Sequence, residues 1–79
     1  MSTGDLFMLR ENFSARIAEL RKESNLTQEA LGKAIGISPD AIYTFEKGKR
    51  LASTETLVAL ADYFGVSLDY ITGRSDSRE

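Results

Sequence analysis

Cysteine, histidine and tryptophan are absent from this chain of 79 residues, and proline occurs once. The lack of cysteine excludes disulfides and thiolate metal sites. The lack of histidine removes the commonest general acid/base and the commonest zinc ligand, leaving carboxylates, lysines and tyrosines for any chemistry. No glycine-rich phosphate loop and no inward cluster of carboxylates is present, so no enzyme is expected and no cofactor or metal is implied. Apolar runs are only a few residues long, far short of a membrane span. The start, MSTGDLFMLRENF, has neither a basic n-region nor a long apolar stretch and does not read as a signal peptide. The chain reads as one small, cytoplasmic domain with little core to spare.

Charge of either sign is nearly balanced, at a net −2, which at first sight disfavours nucleic acid. Distribution matters more than the total. Between Arg16 and Arg50 seven basic residues face five acidic ones, whereas from Leu51 onward two basic residues face five acidic ones. One half is mildly basic and the other acidic. That asymmetry permits DNA binding, but it equally describes an ordinary solvated surface.

What is present is concentrated in residues 28–47, QEALGKAIGISPDAIYTFEK. Leu31 and Ile35, four apart, lie on one face of a short helix. Gly36 follows as a residue that takes positive φ past a helix end. Ile37 plugs the corner, and Ser38-Pro39 restart a helix as N-cap and first-turn proline. Ile42 and Phe45 face inward from this second helix. Gly32 sits in a helix interior, where glycine costs about 1 kcal/mol relative to alanine; close approach of a crossing helix is the reason expected to offset that. Leucine and isoleucine at helical spacing alone mean only a packed core. The joint pattern is that of a helix-turn-helix, whose second helix protrudes with the shape needed to enter a DNA major groove.

The fold class expected is all-α, a compact bundle of five helices. The first runs from about Asn12 to Ser24, with Phe13, Ile17 and Leu20 inward and Arg21 on the same side. Thr27 caps the second, although Ala30 does not complete a capping box. Ser38 caps the third, which ends near Lys47-Gly48-Lys49. Ser53 caps TETLVALADYF, with Leu57, Leu60, Ala61 and Phe64 inward and Gly65 as terminator, and Ser67 caps a single-turn helix stopped by Gly73. The organisation expected is an N-terminal arm at 1–11, the domain at 12–73, and a polar, frayed tail at 74–79. For the apolar Leu6-Phe7-Met8-Leu9, packing on the first helix, a free arm and partial disorder all stay open.

These residues resemble a known family. LTQEALGKAIGISPDAIYTFEKGKR followed by TLVALADYFGVSLDYITG looks like the lambda-repressor/Cro-type, or XRE, helix-turn-helix family, over about Phe13 to Gly73. The resemblance implies a lambda-repressor-like five-helix domain that binds double-stranded operator DNA as a symmetric dimer on a palindrome. It also implies roles. Thr27 and Gln28 match positions that touch phosphate, in accord with the free N–H groups and positive end of a helix start. Lys49 and Arg50 match a basic turn that grips the backbone, and Lys33 is a weaker candidate for the same work. Arg21 and Glu46 match an ion pair between the first and third helices, a sensible use of a guanidinium fork. Base reading falls to the outward face of the third helix: Ser38, Pro39, Asp40, Tyr43, Thr44 and Lys47. For Lys47, a solvated lysine at a helix C-terminus is an equal reading. The chain departs from better-studied members in placing Pro39 and Asp40 where those carry glutamine or arginine. Proline offers no side-chain hydrogen bond, and aspartate accepts from cytosine N4 but is repelled by phosphate; for Asp40, stabilising the N-terminus of its own helix is an equal reading. Tyr43 and Thr44 are therefore the favoured readers.

The function expected is a dimeric, sequence-specific transcriptional regulator, more readily a repressor of phage, mobile-element or restriction-modification type. Because 79 residues leave no room for a separate effector domain, the dimer surface should come from this domain, with Leu51, Val66, Tyr70 and the apolar N-terminus as candidates; Leu68 and Ile71 are expected in the core. The alternative is an antitoxin-like module that masks a partner protein.

Overall fold

The computed structural model describes the backbone of residues 3–79 and the side chains of residues 8–79. The expected contribution of Leu6 and Phe7 therefore lies outside the described side chains. The described residues form five helices: α1 (Thr3–Glu23), α2 (Gln28–Ile35), α3 (Pro39–Glu46), α4 (Thr54–Phe64) and α5 (Leu68–Ile71).

Helices α2 to α5 begin where the caps place them. Thr27, Ser38, Ser53 and Ser67 all have extended backbone and accept, through their hydroxyl oxygens, the N–H of Ala30, Ala41, Thr56 and Tyr70. Each such cap is worth about 1 kcal/mol. Helix α1 departs from expectation. It starts at Thr3 rather than near Asn12, so the segment read as an arm, residues 1–11, is from Thr3 onward the first part of the helix and Asn12 is interior to it. Nothing between Asp5 and Glu23 breaks a helix, and Leu, Met, Arg and Glu are strong helix formers. This stretch carries no amphipathic signal, because its apolar residues form a run rather than a stripe. At its other end α1 closes with Asn25 at φ 57°, a left-handed conformation that asparagine tolerates better than most residues.

Phe13, Ile17 and Leu20 of α1 meet Leu31, Ile42, Phe45, Leu60 and Ile71 in one buried cluster. Phe13 and Phe45 pack edge to face, their centroids 5.5 Å apart. Helix α3 is thereby pinned from two sides, by α2 and by α1. Two apolar residues exchange places relative to expectation. Leu68, read as core, is 44% exposed, and Tyr70, read as a dimer contact, is buried at 5%. The single turn of α5 permits only Tyr70 and Ile71 to point inward together.

The C-terminal tail is the second departure, since it folds back rather than fraying. The Ser67 N–H donates to the Arg78 carbonyl at 2.7 Å. The Arg78 guanidinium bonds both oxygens of Glu23, at 3.0 and 2.7 Å, and Arg16 pairs with Asp76 at 2.9 Å. The guanidinium groups of Arg16 and Arg78 lie 4.0 and 5.3 Å from the centre of the Tyr70 ring, attracted to its π-electrons. Hydrogen bonding between Arg78 and Glu23 holds the Arg78 pKa above its ordinary value and the Glu23 carboxyl below its ordinary 4.5. No described helix is long and apolar enough to cross a membrane.

Candidate nucleic-acid interface

The helix-turn-helix corner is built around Gly32. A Cβ placed there would stand 2.6 Å from the Ile37 carbonyl oxygen and 3.3 Å from the Ser38 carbonyl group. A side chain at this position would displace the start of α3. Gly36 ends α2 at φ 82°, and the Ile37 N–H reaches back to the Gly32 carbonyl at 2.8 Å. The turn thus satisfies a helix-end carbonyl while aiming the next helix. Ser38 and Pro39 then start α3, and Ile42 and Phe45 bury its inner face.

The outer face of α3 is open. Ser38, Pro39, Asp40 and Lys47 are exposed, and Tyr43 is 46% exposed. The Lys47 ammonium lies 5.4 Å from the centre of the Tyr43 ring. Thr44 is half-buried, and its hydroxyl donates to the Asp40 carbonyl one turn back, at 2.8 Å. Its donor is therefore occupied within the helix, leaving the methyl group and an acceptor lone pair for an outside partner. Asp40, in the first turn, complements the positive end of its own helix.

Arg21 and Glu46 form the ion pair expected of them. The guanidinium meets the carboxylate side-on, Nε to Oε2 at 2.6 Å and Nη2 to Oε1 at 2.9 Å. The side chains are only 14% and 9% exposed. Hydrogen bonding to Glu46 holds the Arg21 pKa above its ordinary value, against the opposing effect of burial. The third guanidinium nitrogen, Nη1, donates to the Leu26 carbonyl at 2.7 Å, and the Ser14 hydroxyl donates to the Glu46 carbonyl. The end of α3 is thus tied to α1 and to the loop that precedes α2. None of these carbonyl partners is legible in the sequence.

Gln28 takes a place that its sequence position does not reveal. It is half-buried, and its amide Nε2 donates to Glu46 Oε1 at 3.2 Å. Thr27 is exposed and serves as the cap of α2. Lys33 is exposed in the last turn of α2. Lys49 and Arg50 are exposed on the turn after α3, which is fixed by backbone bonds from Gly48 to Phe45 and from Lys49 to Thr44, at 3.0 and 3.2 Å. The Arg50 guanidinium rests 5.1 Å from the centre of the Phe45 ring. Of the residues expected between copies, Leu51 and Val66 are half-buried against the core, and Tyr70 is covered within the monomer by Arg16 and Arg78.

A family model described as Helix-turn-helix matches residues 17–71, most of the chain. The chain belongs to the XRE-type helix-turn-helix family. Among helix-turn-helix proteins it is similar to the cryptic phage CTXphi transcriptional repressor RstR of Vibrio cholerae, at 32% identity over 82% of this chain and 59% of the relative. It thus spans little more than half the length of that repressor. It is likewise similar to the uncharacterized HTH-type transcriptional regulator YazB of Bacillus subtilis, at 37% identity over 78% of this chain and 90% of the relative. Among solved helix-turn-helix structures, the P22 c2 repressor protein, crystallised in complex with synthetic operator 9T in the presence of Tl+, matches with a TM-score of 0.75. Identity there is 33%, over 80% of this chain and 96% of that one. The five-helix, lambda-repressor-like fold expected from the sequence is therefore the fold of this helix-turn-helix chain.

Proposed function

We propose that this chain is a sequence-specific, double-stranded DNA-binding transcriptional regulator acting in the cytoplasm as a homodimeric repressor on a palindromic operator, without catalytic activity. The observation that carries the reading is the two-sidedness of α3. Ile42 and Phe45 anchor it, while Asp40, Tyr43 and Lys47 stand open beside the start of α2 and the Lys49-Arg50 turn. The likeness to a repressor crystallised with its operator supports the same reading.

In this account α3 enters the major groove. Thr27, Gln28, Lys33, Lys49 and Arg50 bind phosphates and set the register, carrying no sequence information themselves. Tyr43 and the Thr44 methyl contact thymine methyl groups, and Asp40, with Ser38 and Pro39 beside it, disfavours bases that present acceptors. Lys47, beside the Tyr43 ring, completes the outward face of α3. One such helix reads only a few base pairs, so two copies related by a two-fold axis double the site. Exposed Leu68 supports an interface on the α4–α5 side, where it lines an open groove of about 290 Å³ with Leu9 and Leu57; Leu51 and Val66, half-buried against the core, are the weaker candidates, and Tyr70 takes no part.

The test is selection of bound duplexes from a random DNA pool by the purified chain at near-physiological salt. A palindrome with half-sites about one helical turn apart is expected. No enrichment from a folded sample would overturn the reading and move the weight to a protein partner of the antitoxin-like kind.

A further inference from the structure

We propose that Glu46 is a positioning residue for DNA binding: it holds the Gln28 amide so that the amide and the start of α2 grip one phosphate together. The proposal rests on the DNA-binding reading above. The Arg21–Glu46 pair is complete without Gln28, because the guanidinium already places one N–H on each carboxylate oxygen. The Gln28 contact, at 3.2 Å on Oε1, is a further bond, and it has a directional consequence. A carboxylate only accepts, so the amide must turn its nitrogen toward Glu46. This fixes the plane of the amide and leaves its second N–H for an outside acceptor. Gln28 is also the first residue of α2, and the N–H groups of Gln28 and Glu29 have no acceptor inside the helix. A phosphate at this point would meet main-chain and side-chain donors in one place.

Arg21 is what allows a carboxylate to stand so near. An isolated Glu46 would repel a phosphate; paired side-on with a guanidinium, it presents only an acceptor to Gln28. The pair that braces α3 against α1 thereby also sets a donor on α2. Removing it should cost DNA affinity beyond what is lost in stability.

The experiment is a double-mutant cycle on the full chain, read as affinity for a mixed-sequence duplex of about 20 bp across a salt series. In the native background Gln28→Ala is expected to weaken binding about tenfold and to lower the salt slope by about 0.9, the share of one phosphate. In a Glu46→Gln background, which keeps the shape and removes the charge, Gln28→Ala should cost less than about twofold. The same loss in both backgrounds would overturn the proposal and leave DNA binding itself intact. No duplex binding by the native chain would overturn the reading beneath it as well. Should Glu46→Gln fail to fold, Glu46→Asp keeps the charge and withdraws the oxygens by one methylene, with the same expected loss of coupling. The Gln28 side-chain N–H signals give an independent readout. One proton should be displaced in the free chain and the other should move on duplex addition; an undisplaced pair would overturn the proposal.

Discussion

Replacing Gly32 by alanine tests the corner that aims α3. On helix propensity alone the change should stabilise, since alanine is about 1 kcal/mol better than glycine in a helix interior. The structure reverses that sign. The new Cβ would stand 2.6 Å from the Ile37 carbonyl oxygen, which must retreat to at least 3.4 Å for ordinary contact. The obstacle is backbone, and it leads directly into Ser38, the cap of α3. Overpacking of this kind costs about 1–3 kcal/mol, and a neighbour that is backbone rather than a flexible side chain places it at the upper end. With the propensity gain subtracted, a net loss of about 2 kcal/mol remains. For a domain of this size that corresponds to a fall in Tm of about 8–16 °C. Thermal unfolding followed by circular dichroism at 222 nm reads it directly, with duplex affinity measured well below the transition to detect a tilted α3. A Tm equal to or above that of the native chain would refute the close approach of α2 and α3 described here.

Three further outcomes are expected. Glu46→Ala leaves the largely buried Arg21 guanidinium without its partner and should destabilise by about 3 kcal/mol in urea unfolding; an unchanged midpoint would show the pair to be dispensable. Because Arg78 holds the Glu23 carboxyl below 4.5, the tail clasp is fully present above that pH and is lost as pH falls through the folded value. The Glu23 carboxyl carbon should titrate below 4.5 in the native chain and return to the ordinary value in Arg78→Ala, and titration at 4.5 in both would contradict the clasp. Lys49→Ala should weaken binding to all duplexes and flatten the salt dependence, whereas Tyr43→Ala should change the preference among selected sequences more than the overall affinity; a reversed pattern would exchange their roles.

Much of the fold was legible because its signals are local. Thr27, Ser38, Ser53 and Ser67 mark helix starts through a bond to the N–H three residues on, and such a bond depends only on neighbours in sequence. Gly36 and Gly65 mark helix ends for the same reason. Gly32 was legible as an anomaly, a poor helix former that something had to compensate. What escaped depends on distant partners. The start of α1 leaves no mark in the sequence, because residues 5–11 carry neither an amphipathic stripe nor a breaker. The fold-back of the tail is not legible, because a polar sequence gives no sign that Arg78 will find Glu23 and Tyr70. Leu68 and Tyr70 were exchanged because one turn of helix leaves two inward positions, and the phase of so short a segment is fixed by packing rather than by periodicity. In the candidate interface, the exposure of Asp40, Tyr43 and Lys47 followed from the inward phase of Ile42 and Phe45. The bond from Gln28 to Glu46 did not, since it joins the beginning of one helix to the end of the next.

Titration of the isotopically labelled chain with the duplex recovered by selection, following every backbone amide, would map the DNA-binding face residue by residue. Shifts are expected to concentrate at Thr27, Gln28, the outward face of α3 and the Lys49-Arg50 turn, with the buried face of α3 little changed. Shifts confined to α4, α5 and the tail, with α3 silent, would contradict the DNA-binding reading.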